Sequence, residues 1–181
     1  MTNCRETSYW IHVPCYTTPM TTTDKQHIKE QAARKIGEVL AFSEIGLDLL
    51  ERGETALENV FEADFLDGCS ESFETQKEDL LRIASKLDVE QIVLDKADST
   101  KNKVFSMQEL YLKGEWDDAV EVLEWMGFFE GGALVHWGLI KGVADTHRIG
   151  QLATVAEDAL DFHQEFVRQI VTQLFELGGE L

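Results

Sequence analysis

The amino-acid sequence predicts an all-α protein, folded as an irregular bundle of five to seven helices. Both prolines, Pro14 and Pro19, lie in the first twenty residues, so the rest of the chain is free of the strongest helix breaker. Apolar residues recur every three or four positions over long stretches, whereas the alternation typical of half-buried strands is absent after residue 20. Thr, Ser or Asp followed three residues later by Glu or Gln, a helix-starting pattern, also recurs along the chain.

Composition and length indicate one folded domain. The chain has 181 residues, of which 44% are apolar and 28% charged, which is typical of a globular protein with a real core. Residues 1–22 are expected to form a poorly structured N-terminal appendage, because their last part, the Thr- and Pro-containing stretch 17–22, is typical of a linker and is followed at once by the first clean helix start. Residues 23–181 are then predicted to form a single helical-bundle domain.

Two long helices are expected to form the spine of this bundle. The first runs over about 23–52, from the capping pattern Thr23-x-x-Gln26 to Gly53. The second runs over about 149–177, after a break near 145–150. One face of the second helix is an apolar stripe that consists of Leu152, Ala156, Ala159, Leu160, Phe166, Val167, Ile170 and Leu174.

Shorter helices are predicted between the two long ones. Capping patterns at Thr55, Thr75, Asp88 and Ser106 indicate four helix starts. The polar segment 95–104 is predicted to be a loop. Further interruptions are expected at turn residues and glycines, namely Asp67-Gly68, Gly114, Gly127 and the pair Gly131-Gly132.

The strong acidity limits the partners of the chain. It has 34 acidic and 16 basic side chains and a formal net charge of −18, so it should repel both nucleic acid and anionic membranes. Solubility explains the excess of acid, with a docking face for a basic partner or for cations as the alternative. Cys4, Cys15 and Cys69 do not make a disulfide framework, because their number is odd and two of them lie in the N-terminal segment. No secretory signal or membrane span is evident, which favours the cytoplasm.

Motifs that would support catalysis are missing from the sequence. It contains no Gly-x-Ser-x-Gly, no phosphate-binding Gly-rich loop and no dinucleotide fingerprint. We therefore expect a non-enzymatic protein that acts through protein–protein contact, either with a partner or as a homo-oligomer. No cofactor is predicted.

The alternative is a bundle that binds a divalent metal or a small ligand in its core. His163 lies in the middle of the apolar stripe of the last long helix, and Glu38 is the expected partner of its ring. The ligand or metal candidates are Glu38, Glu44, His136 and His163. Ferritin-like bundles use a Glu-x-x-His motif, which this chain lacks, so the same residues would otherwise form a buried core contact.

A close-packing signal indicates where a partner would bind. Gly138 and Gly142 are one turn apart in a predicted helix, where two glycines are costly unless another helix packs on them. Aromatic side chains occur around them, either as part of the core or as an exposed interface. The interface candidates are therefore Gly138, Gly142, Trp137, Trp125, Phe128 and Phe129.

Overall fold

A computed structural model describes residues 22–179, with side chains described from Lys29 onward. This part of the chain contains six α-helices and no strand, which confirms the predicted all-α bundle. The predicted appendage lies outside the described residues, apart from Thr22. The helices are α1 (Thr22–Arg52), α2 (Glu54–Glu58), α3 (Ala63–Lys86), α4 (Glu90–Leu112), α5 (Ala119–His147) and α6 (Gly150–Gly178).

Helix α1 lies at the centre of the bundle, because it packs against α2, α3, α4 and α5. Helix α6 packs along α5 and also contacts α3. The predicted ends of the two spine helices agree with α1 and α6 to within one or two residues. The bundle nevertheless has five long helices rather than two, since α3, α4 and α5 each exceed twenty residues.

The predicted loop over 95–104 is wrong, because these residues lie inside α4. Two of their polar side chains reach α1, while most of the others are exposed. Lys96 binds Glu38 at 3.0 Å, and Lys101 binds Glu44 at 2.7 Å, both on α1. Ala97 between them is buried. A segment that looks like a loop by composition is therefore held as a helix by salt bridges to its neighbour.

Several other predicted interruptions are also absent. Gly68 lies inside α3, and Gly127, Gly131 and Gly132 lie inside α5. The α5 glycines remain helical in part because Gly127 packs near Ile170 and Gly132 near Phe42. The predicted helix starts at Thr75 and Ser106 are likewise interior positions of α3 and α4, whereas the break at Gly114 is confirmed.

The break predicted near 145–150 is confirmed. Arg148 ends α5 with a φ of 56°, in the left-handed region, and the amide of Ile149 donates to the carbonyl of Ala144 at 2.9 Å. Helix α6 begins two residues later, so α5 and α6 form an antiparallel hairpin. This hairpin brings His163 of α6 against Glu130 of α5.

Candidate functional site

His163 and Glu130 form a buried pair between α5 and α6. The ring Nδ1 lies 2.5 Å from Glu130 Oε2, and both side chains are fully buried. Glu130 stands between Phe129 and Gly131, where nothing in the local sequence marks it as a polar core residue. Only the helical period could have indicated its burial, because Glu130 lies on the same face of α5 as the buried Trp137, two turns later.

Aromatic side chains surround the His163 ring. The ring centroids of Phe162, Phe73 and Trp137 lie 4.9, 5.8 and 6.2 Å from that of His163. His163 Nε2 and Glu130 Oε1 have no hydrogen-bond partner in the described part of the chain. The pair therefore places a short polar contact among aromatic rings, and each partner compensates the burial of the other.

Cys69 lies close to this pair, but it is not poised for nucleophilic chemistry. Burial and the negative charge of Glu130 raise the pKa of the Cys69 thiol to about 12. The thiolate is the reactive form of cysteine, so Cys69 is an unreactive thiol at neutral pH. Cys69, Glu130 and His163 are residue types found in catalytic sites, but the unreactive thiol means that they do not form a nucleophilic site here.

Glu38 does not contact His163, contrary to the prediction. Its carboxylate is instead shared by three basic groups on three helices. Lys35 Nζ lies 3.0 and 2.9 Å from the two carboxylate oxygens, and Lys96 Nζ lies 3.0 Å from Oε1. His136 Nδ1 lies 3.1 Å from Oε2. Glu38 therefore connects α1, α4 and α5. The predicted pairing of Glu38 with His163 was wrong, because the partners depend on which helix faces pack together, and the sequence pattern does not reveal this.

The environment of Glu38 keeps it ionised. Burial raises the pKa of this carboxyl, but the hydrogen bonds and positive charges of Lys35 and Lys96 outweigh burial and leave the pKa below its usual value of 4.5. An ionised carboxylate whose charge is balanced by basic groups in this way holds three helices together.

The four ligand or metal candidates are distributed over three separate contacts. Glu38 and His136 share one, His163 pairs with Glu130, and Glu44 binds Lys101. Among residues 22–179, no group of three or more His, Cys, Asp or Glu side chains is placed to hold a metal ion. A divalent metal in the core stays the untested alternative.

The outer surface of α5 is apolar and exposed. Phe128, Val135 and Leu139 are 62%, 72% and 46% exposed. A Cβ atom added at Gly131, Gly138 or Gly142 would meet none of the described residues within 4 Å. We call this surface the α5 face; it consists of Phe128, Gly131, Val135, Gly138, Leu139 and Gly142.

The α5 face carries no free charge. Between Phe128 and Gly142 the only charged or titratable residues are Glu130, His136 and Lys141. Glu130 is buried, His136 contacts Glu38, and Lys141 is held by Asp145 at 2.7 Å. A stretch of four helical turns without a free charge contrasts with the strongly acidic composition of the whole chain.

The aromatic interface candidates divide between the core and the surface. Trp137, Trp125 and Phe129 are buried and belong to the core. Phe128 alone is exposed, and it stacks on Trp125 with ring centroids 5.7 Å apart. Val135 and Leu139 were not among the predicted interface residues, although their spacing with Phe128 is that of one helix face. All large exposed apolar side chains described lie on α4, α5 or α6, namely Met107, Leu110, Tyr111, Phe128, Val135, Leu139, Val171 and Phe175.

Comparisons with protein-family models, with curated proteins and with solved structures find no match to this chain. Within the described residues, no helix has the length and apolar character needed to cross a membrane.

Proposed function

We propose that this chain is a non-enzymatic cytoplasmic protein that acts through protein–protein contact and assembles as a homo-oligomer through the α5 face. One observation carries the proposal: an exposed, uncharged and glycine-containing helix surface on a chain with a net charge of −18. Contiguous exposed apolar surface of this kind is typical of interaction sites.

Charge favours a second copy as the occupant of the α5 face. Two copies that approach through other surfaces bring unpaired carboxylates together, which is unfavourable for a chain this acidic. The α5 face avoids this repulsion because it carries no free charge. A two-fold axis through the face would pair the same apolar residues from both copies, as in most homodimers.

The glycines of the α5 face support a close helix–helix contact. Glycine in an exposed helix interior costs about 1 kcal/mol relative to alanine. Among the described residues, nothing lies within 4 Å of a Cβ atom added at Gly138 or Gly142, so no packing contact there offsets this cost. A helix from a second copy would pack against them at short distance and offset the cost.

The alternative function, a metal or small ligand in the core, has weaker support. Lysine side chains already bind Glu38 and Glu44, and His163 is occupied by Glu130. Elemental analysis of the purified protein tests this alternative directly. A stoichiometric divalent metal would favour it over the homo-oligomer as the principal function.

Sedimentation equilibrium tests the proposed assembly. The full chain should form an oligomer whose population rises with concentration, and Val135→Glu should shift it to the monomer because the new charge would be buried in the contact. Thr75→Glu is the matched control, since it adds the same charge at an exposed position of α3. A wild-type monomer at every concentration, or equal effects of both substitutions, would overturn the proposal.

A further inference from the structure

A groove on another side of the molecule has an apolar floor and an acidic rim. Helices α1, α2 and α3 line this open groove, which has a volume of about 430 Å³. Leu47, Leu50 and Leu66 form the floor and are half-buried against the core. The rim consists of carboxylates from all three helices, namely Glu51, Glu54, Glu58, Asp67 and Glu74.

Most of the negative charge of this groove is not compensated within the described part of the chain. Glu74 binds Lys77 at 3.0 Å, while the other four rim carboxylates make no ion pair there. The described residues that line the groove include no Lys, Arg or His. Arg52, which follows Glu51 directly, points to Glu109 and lies over the Trp116 ring instead. Low-dielectric walls and like charges together concentrate a negative potential in the groove.

We propose that this groove binds a basic amphipathic helix of a protein partner. Apolar side chains of that helix would cover the leucine floor, and its Lys or Arg side chains would pair with the rim. This is the helix-in-groove mode of recognition, with charge complementarity selecting the occupant. The rim positions on α3, from Asp67 to Glu74, are seven residues apart, which corresponds to about 10 Å or two helical turns.

A helix fits this groove better than a single cation does. One metal ion would engage carboxylates alone and would leave Leu47, Leu50 and Leu66 in contact with water. A segment that is basic but not apolar would have the same defect. The groove is independent of the α5 face, which lies on a different helix and is tested separately by sedimentation equilibrium.

Two synthetic peptides of leucine and lysine serve as probes in fluorescence anisotropy with the full chain at physiological ionic strength. One places its leucines on one helical face, and the other has the same composition in scrambled order. The facial peptide should bind about tenfold more tightly or better, because only it can cover the apolar floor while pairing with the rim. Equal binding of the two peptides would overturn the proposal, since it would show attraction to net charge alone.

Two triple variants with the same net charge locate the binding site. Glu51→Gln with Glu54→Gln and Glu58→Gln should weaken binding of the facial peptide by about tenfold. The control removes three exposed carboxylates elsewhere, by Glu115→Gln, Glu157→Gln and Asp161→Asn, and should change binding by less than about threefold. An equal loss in both variants would exclude the groove as the site. Circular dichroism checks that both variants are folded.

Discussion

The Glu130–His163 pair illustrates how strongly one buried polar contact can influence stability. Both side chains are fully buried, so removal of either partner leaves the other without compensation. Glu130→Leu and His163→Leu should each lower the free energy of unfolding by about 3–5 kcal/mol. Urea denaturation followed by circular dichroism measures both losses.

The double variant Glu130→Leu/His163→Leu distinguishes a coupled pair from two independent residues. Because it removes both polar groups from the apolar environment, its loss should be smaller than the sum of the single losses. If the double variant lost as much unfolding free energy as the two single variants together, the 2.5 Å contact would not couple the two side chains.

Glycine at residue 37 has a different role from the exposed glycines. A Cβ at this position would lie 2.4 Å from the carbonyl oxygen of Val93 and 2.8 Å from Lys96 Cβ, so Gly37 allows α4 to approach α1. Gly37→Ala should therefore destabilise the protein by about 1–3 kcal/mol, because the α4 backbone at Val93 cannot easily move away from the new methyl group. At Gly68 an added Cβ would meet none of the described residues within 4 Å, so Gly68→Ala should instead be neutral or stabilising by up to about 1 kcal/mol in the same urea experiment. Equal effects would contradict the close approach of α1 and α4.

At the scale of helices, Glu38 connects α1, α4 and α5, and its contribution should depend on pH. The pKa of Glu38 is lowered in the folded protein, so its contribution is present above the ordinary value of 4.5 and is lost as the pH falls through the folded value. Glu38→Gln should lower the free energy of unfolding by about 1–2 kcal/mol at neutral pH. The difference from wild type should narrow as the pH falls below about 4.5.

Denaturation curves at several pH values check this expectation, with Glu157→Gln as the exposed control. That control should change stability by less than about 0.5 kcal/mol at every pH. A loss in Glu38→Gln that stays constant down to acidic pH would show that packing, rather than the charge of Glu38, connects the three helices.

The ends of α1 and α6 could be predicted from the sequence because capping residues and a regular apolar stripe are local signals. Segment 95–104 could not, since its helix depends on Lys96 and Lys101 reaching carboxylates on a distant part of the chain. His163 was correctly expected to be a buried polar residue with one good partner. The identity of that partner could not be derived, because it depends on which faces of α5 and α6 meet in three dimensions.

At the scale of the whole molecule, charge and apolar surface are separated. The α5 face has exposed apolar side chains without a free charge, whereas the α1–α3 groove combines an apolar floor with five rim carboxylates. Repulsion between acidic surfaces opposes self-association at low ionic strength, and salt screens it. Assembly through the α5 face should therefore tolerate salt, while binding of a basic helix in the groove should weaken as salt is added.

The glycines of the α5 face connect the stability of one chain with its assembly. Gly138→Ala/Gly142→Ala should raise the unfolding free energy of the monomer by about 1–2 kcal/mol, because alanine favours helix and its methyl groups meet nothing within 4 Å. The same methyl groups would separate two α5 helices that pack on the glycines, so self-association should weaken by about tenfold or more. Urea denaturation at low concentration and sedimentation equilibrium measure the two effects, with Gly68→Ala as the control. Since Gly68→Ala should leave assembly unchanged, a double variant that assembles as tightly as wild type would place the contact between copies elsewhere.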